Sequence, residues 1–338
     1  MKKIIKILLI LLLVTLAILL IVKIINKNKL KNKGYSENQI EKIYDLSFDV
    51  NIILENDYCD KLDEILNSDF DKNNLAQYLQ DCKKTDSEEI IDPFVFELQQ
   101  EKYYIPYNLE RYIKYKETND KTAKEIVTEV NCNLDKEFYN DIIKTDLTKG
   151  NLMLVNKYYY VDNTYEPDDP MTLKLNQYTY WEGSILSHDA YVAFTSMVDD
   201  ASKLGYSLID TSAYRTYEYQ SYLYNKYLEE NGLEWTLKSS AKPGHSEHHT
   251  GLATDIVKKG VSMYDFENTE EFDWIKNNAH KYGFILRYPE GKEYLTGYKY
   301  EPWHYRYVGV DVATYIYEED IVFEEYYAYF CEYKNACQ

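Results

Sequence analysis

Histidine is scarce in this chain, with six in 338 residues, and all six lie in the C-terminal half: His188, His245, His248, His249, His280 and His304. Three crowd into Pro243-Gly244-His245-Ser246-Glu247-His248-His249-Thr250-Gly251-Leu252-Ala253-Thr254-Asp255, and the last closes Glu301-Pro302-Trp303-His304. A catalytic zinc takes about three protein ligands, commonly histidine and carboxylate, and keeps one position open for water. His248, Asp255 and His304 can supply those ligands, and Glu301 can serve as the base on the water. Taken singly, each residue has an ordinary structural reading: a packed histidine, a capping aspartate, a solvated glutamate. The joint pattern carries the zinc reading, and His188, His245, His249 and His280 are left as structural.

The spacing also says which elements must position the ligands. It is not the helical His-x-x-x-His arrangement, in which two ligands share a face at i and i+4. Pro302 forbids a regular helix through Glu301–His304 and biases Glu301 to extended geometry. His248 and Asp255 are 255−248 = 7 residues apart, so one uninterrupted strand would aim them at opposite faces. A turn at Gly251 must reorient the chain, and the ligands must come from loops and strand ends.

Hydrophobic periodicity supplies those elements. It predicts strands over Leu152–Val161, Tyr206–Ala213, Leu252–Val257, Phe284–Tyr288 and His304–Val308. Helices are predicted over His188–Leu204, Thr216–Asn231 and Phe272–Lys281, each stopped by a glycine. Short, Gly-bounded strands interleaved with helices favour an α+β domain over a doubly wound parallel sheet.

Within this region four blocks, in order, resemble the VanY/VanX-type D-alanyl-D-alanine carboxypeptidases and dipeptidases. Ser246-x-His248-x-x-Gly251-x-Ala253-x-Asp255 matches their zinc motif, and Ser212-Ala213-Tyr214-Arg215-Thr216 with Gln220 resembles their S-G-Y-R-S-x-x-x-Q segment. Tyr282–Pro289 and Tyr300–Gly309 look like the remaining blocks. Ala213 replaces the more usual Gly and His249 the more usual Gln, and neither change touches a ligand. The resemblance runs from about Leu154 to Tyr327. It implies zinc on His248, Asp255 and His304, Glu301 as general base and acid, and Arg215 facing the scissile carbonyl oxygen. Ser246 and Gln220 would contact the substrate's terminal carboxylate or backbone. The implied fold is a small antiparallel-sheet zinc peptidase domain, hedgehog-like, and the implied substrate is the peptidoglycan stem peptide. Family members of both D,D and L,D specificity share these motifs. A non-catalytic wall-binding module on the same fold would be expected to have lost a ligand or the base; all are present.

The rest of the chain sets the context. Asp+Glu 57 against Lys+Arg 38 leave a net charge of −19, which excludes a nucleic-acid binder for want of basic surface. Ile7–Val22 carries no charge and a single hydroxyl, Thr15, and Lys6 and Lys23 flank it. With snorkelling lysines this run approaches the roughly 20 residues that span a bilayer. No small-residue cleavage site follows, so residues 1–33 are expected to be an uncleaved single-pass anchor. Lysines lie on both sides of the run and do not orient it; the substrate implied by the resemblance would place the catalytic domain outside the cell membrane. Residues 34–150 are expected to form a mostly helical spacer, opened by a capping box at Ser36-Glu37-Asn38-Gln39, and residues 151–338 the zinc carboxypeptidase domain with its C-terminal helix. The five cysteines form no CxxC pair, and an odd count leaves at least one thiol free.

Overall fold

The computed structural model describes residues 2–59, 62–66, 75, 79 and 93–335, with the side chains of 2–14, 16, 17, 64, 65 and 93 excepted. The chain divides into two compact units, 1–100 and 101–338.

The first unit opens with helix α1, Lys2–Lys33. The side chains of Ile7–Val14, Leu16 and Ala17, most of the apolar run, lie outside the described residues. Among the described residues no helix is long and apolar enough to cross a membrane. Ile18 through Val22 are each 47–61% exposed. The capping box forms as expected: Gln39 N donates to Ser36 Oγ at 3.2 Å, and Ser36 N donates to Gln39 Oε1 at 2.8 Å. It starts the helix Glu37–Asp45, whose Ile40 and Ile43 are buried with Leu30, Tyr35, Ile53 and Leu62. Within the expected spacer the sequence also predicts a short helix over Asn74–Leu79, a stretch that falls largely outside the described residues.

The expected boundary at 150 is displaced to 100. The helices Leu109–Lys116 and Ala123–Asn131 belong to the second unit. Thr128 Oγ1 donates to Glu325 at 3.3 Å, and Cys132 packs against Leu295 and Val322. Helical periodicity marks a buried face without saying which core that face meets. The strand expected over Leu152–Val161 is also reduced. A 3₁₀ segment covers Leu147–Leu152, and only Tyr159–Tyr160 pairs, parallel to Ile143–Lys144.

The site is carried by a four-stranded sheet: β1 Leu208–Ser212, β2 Ala253–Lys258, β3 Phe284–Leu286 and β4 His304–Tyr307, in spatial order β1-β2-β4-β3 and antiparallel throughout. Between β1 and β2 lies α3 (Tyr217–Asn231), and before β1 lies α2 (His188–Lys203). Ala190, Phe194, Met197, Val198 and Ala201 form the apolar stripe of α2. They join Leu208, Ile256, Phe284, Tyr305, Phe272 and Ile275 in the main core. The period-2 pleat decides the rest: Thr254 and Tyr305, opposite one another and fully buried, alternate with Asp255 and His304 on the other face. After β4, the helix α4 (Val310–Glu319) and the segment Phe323–Tyr333 close the unit through Ala313, Ile316, Phe323 and Tyr327.

Candidate active site

Asp255 and His304 are direct cross-strand partners on β2 and β4. The third residue arrives from a 3₁₀ turn, Glu247–Thr250, ended by Gly251 at φ 68°, ψ 7°. This left-handed residue supplies the turn required between His248 and Asp255. A Cβ there would sit 3.0–3.1 Å from Pro167 and the Ser187 nitrogen. His248 Nδ1 lies 2.7 Å from the Ala213 carbonyl oxygen, which leaves Nε2 to face the sheet. His248 Nε2 is 3.5 Å and His304 Nδ1 is 3.1 Å from the same oxygen, Asp255 Oδ1. The two imidazole rings stand at 90° with centroids 4.9 Å apart.

Among the described residues, these three form the group whose metal-capable atoms converge, all within 4.8 Å of one another, and all three are buried. A tetrahedral ion with arms of about 2.0–2.2 Å sets its ligand atoms roughly 3.5 Å apart. Two nitrogens and a carboxylate oxygen at these separations therefore fit a zinc ion.

Glu301 lies beside that point, with Oε2 3.8 Å from His304 Nδ1. Pro302 makes the chain turn rather than coil: His304 N donates to the Glu301 carbonyl at 3.1 Å, which brings both side chains to one end of β4. Burial pushes the Glu301 carboxyl up to about 7. His248 is pushed down to about 4, first by burial and then by the Arg215 cation. Burial alone would also lower His304, but its hydrogen bonds to Asp255 and Glu247 outweigh it and raise it to about 9. Asp255 is buried, which opposes ionisation, yet His248, His304 and Arg215 hold it well below the usual carboxylate range.

Arg215 sits immediately before Thr216, the cap of α3. Its Nη2 donates to Asp255 Oδ2 at 2.9 Å, its Nε to Ser212 Oγ at 2.8 Å and its Nη1 to Gln220 Oε1 at 3.4 Å. Gln220 is buried, and its amide donates to the Ala241 carbonyl at 2.9 Å. Arg215, Gln220 and Ser246 all line the cleft that opens over the three converging residues. Tyr227, Trp235, Tyr264, Tyr300 and Trp303 form an aromatic wall around it, with Lys299 on the rim.

His245 and His249 are structural, as read from the sequence. Their Nδ1 atoms lie 2.8 Å from the carbonyls of Asn156 and Arg215. Sequence reasoning missed Ser239, Ser240 and Ala241 in the cleft wall, which belong to no motif. By position alone Glu247, next to His248 in sequence, is a second carboxylate that could be the base. Both Glu247 oxygens are committed, to Arg287, Arg306 and His304, and the side chain is fully buried.

The family model described as VanY: D-alanyl-D-alanine carboxypeptidase matches residues 183–310, which hold every one of these site residues. YodJ of Bacillus subtilis (strain 168), a protein assigned as a carboxypeptidase, is 37% identical over 227 residues, covering 63% of this chain and 83% of that protein. The chain belongs to the VanY family. It is thereby a peptide hydrolase of the carboxypeptidase type, in a family that is zinc-dependent. The LdcB LD-carboxypeptidase structure is similar at 36% identity and a TM-score of 0.52, over 57% of this chain and 92% of that one. A vancomycin-resistance D,D-pentapeptidase VanY from a VanB-type cassette, solved in complex with Zn(II), is 33% identical, covering 52% of this chain and 98% of that one at a TM-score of 0.46. The VanY match leaves residues 1–182 and 311–338 outside it.

Proposed function

We propose that this protein is a membrane-anchored zinc D-alanyl-D-alanine carboxypeptidase that trims the terminal D-alanine of peptidoglycan stem peptides. The observation that carries the reading is the convergence of His248 Nε2, Asp255 Oδ1 and His304 Nδ1 on one buried point with Glu301 beside it.

His248, Asp255 and His304 would hold the zinc, whose chemistry would be to acidify a water and polarise the scissile carbonyl. Glu301 takes the proton from the water and returns it to the leaving amide nitrogen. Its raised affinity for protons suits both halves of that task, since a base near neutral pH can also act as the acid. Arg215 brings a planar, permanently charged donor fork to the carbonyl oxygen. Ser246 and Gln220, which also line the cleft, would contact the terminal carboxylate or the backbone of the substrate. Incubating the metal-loaded protein with penta- and tetrapeptide stems tests the reading: release of D-alanine from the pentapeptide supports it. Cleavage of the tetrapeptide alone would favour the L,D-carboxypeptidase reading, which the likeness to LdcB supports. A protein without bound zinc and without hydrolysis of either stem would leave only a wall-binding role.

The anchor is proposed on the uncharged run Ile7–Val22 within one continuous helix, Lys2–Lys33. The exposure of Ile18–Val22 and of Ile24 and Ile25 is in keeping with a lipid-facing helix. Cys59 and Cys331 each take part in a disulfide, and Cys132 is a buried free thiol. Structural disulfides belong to oxidising compartments, which supports a catalytic domain outside the cell membrane.

A further inference from the structure

His304 can ligate a metal through Nδ1 only if the proton of its neutral ring resides on Nε2. The residue that meets Nε2 is Glu247, whose Oε2 lies 3.4 Å away. Glu247 is held by two arginines with no solvent exposure: Arg287 Nε and Arg306 Nη1 both donate to its other oxygen, Oε1, at 2.8 and 2.9 Å. Arg287 in turn grips Glu324 through two hydrogen bonds of 2.9 and 2.6 Å, and Arg306 Nη2 donates to the Asn151 and Met153 carbonyls. Two buried arginines and two buried carboxylates are a costly way to fill a core, and such networks are weak stabilisers compared with apolar packing. This one ends on the far nitrogen of a metal-ligand histidine.

We propose that Glu247 is a positioning residue that sets the His304 tautomer, and that the arginine pair makes this setting one-way. The inference rests on the zinc reading above. Arginines only donate, so the atom they share must be an oxygen. With that oxygen pinned, the second atom of the Glu247 head group is the one that faces His304 Nε2. In the native carboxylate it is also an oxygen, an acceptor, and it holds the proton on Nε2. In Glu247→Gln the arginines take the amide oxygen, and the NH2 group is turned toward His304. A donor there requires Nε2 as its acceptor, which moves the ring proton to Nδ1 and removes the lone pair that would bind zinc.

Zinc affinity of the metal-free protein, measured by competition with a chelator, tests this directly. Glu247→Gln should bind zinc about 10- to 100-fold more weakly than wild type, the usual penalty for losing a histidine's outer partner. Glu324→Gln loosens Arg287 from its other side without altering what His304 meets, so it should lose stability while binding zinc within about twofold of wild type. Equal zinc affinity in Glu247→Gln and wild type would overturn the proposal, as would an equal loss in both variants, which would mean that general loosening is the cause. If Glu247→Gln fails to fold, ¹⁵N shifts of the His304 ring in the zinc-loaded wild-type protein decide the matter. Protonated Nε2 with metal on Nδ1 is expected, and the reverse overturns the proposal. A wild-type protein that binds no zinc would instead refute the zinc reading itself.

Discussion

Arg215 clamps Asp255: its Nη2 donates to Oδ2 at 2.9 Å, while Oδ1 is the oxygen that both His248 and His304 approach. The ion pair divides the carboxylate between a structural oxygen and a metal-facing one, and it holds the guanidinium at the cleft, where the proposed mechanism puts the scissile carbonyl. The sequence-based expectation gave Arg215 only the second of these tasks.

Arg215→Lys is therefore expected to lower kcat by roughly 10²-fold with little change in KM, because a point ammonium cannot serve Asp255 and an oxyanion together. Zinc content should remain at one equivalent. A KM rise with unchanged kcat would reassign Arg215 to the substrate carboxylate. Steady-state kinetics beside metal analysis gives the answer.

Glu301→Gln should keep its zinc and lose about 10²–10⁴-fold in rate, the range for general acid–base help. The working form is the carboxylate, so activity should fall as pH drops through an apparent pKa at or below about 7. A cation at the ligand point stabilises the carboxylate and can only move that limb down from the metal-free value. The variant should show a flat acid side. His304→Ala should instead lose metal and activity together.

Zinc binding should strengthen with pH. In the metal-free protein His304 is protonated up to about 9, above the 6.5 of a free imidazole, so the metal must displace a proton at neutral pH. The sign for folding is the opposite. Protonated His304 contributes stability to the metal-free protein that is complete below about 6.5 and is lost as pH rises through about 9. Calorimetric zinc titrations in buffers of different ionisation enthalpy should report proton release at pH 7, and none would contradict the raised pKa.

Gly251→Ala should disturb both stability and metal binding. A non-glycine residue in the left-handed region costs about 1–2 kcal/mol, and the added Cβ would press on Pro167 and the Ser187 nitrogen. Thermal unfolding should show the destabilisation. Zinc affinity should fall as well, since this turn sets His248 opposite Asp255.

Protease added to intact wall-less cells should digest the catalytic unit while sparing the N-terminal run. Full protection would place the enzyme on the cytoplasmic side and remove the proposed substrate.

Sequence alone picked out the three metal-capable residues that converge and the Glu301 that lies beside them, and it did so through constraint. Pro302 cannot extend a helix and Gly251 alone readily takes the turn, so a loop-and-strand site was legible before any fold was known. It also determined the capping box at Ser36, the apolar stripe of α2 and the glycine-stopped helices, because these depend on neighbours within one or two turns. Tertiary structure decided what depends on partners far along the chain. Strand register made Asp255 and His304 face each other. The meeting of Glu247 with Arg287 and Arg306 turned a candidate base into a fully committed acceptor. The helices at 109–131, polar and amphipathic in sequence, were assigned to a spacer until the core around Cys132, Leu295 and Val322 showed which unit they bury against. Periodicity records that a face is buried; only the fold records against what, because that choice is made by packing between segments that no local spacing connects.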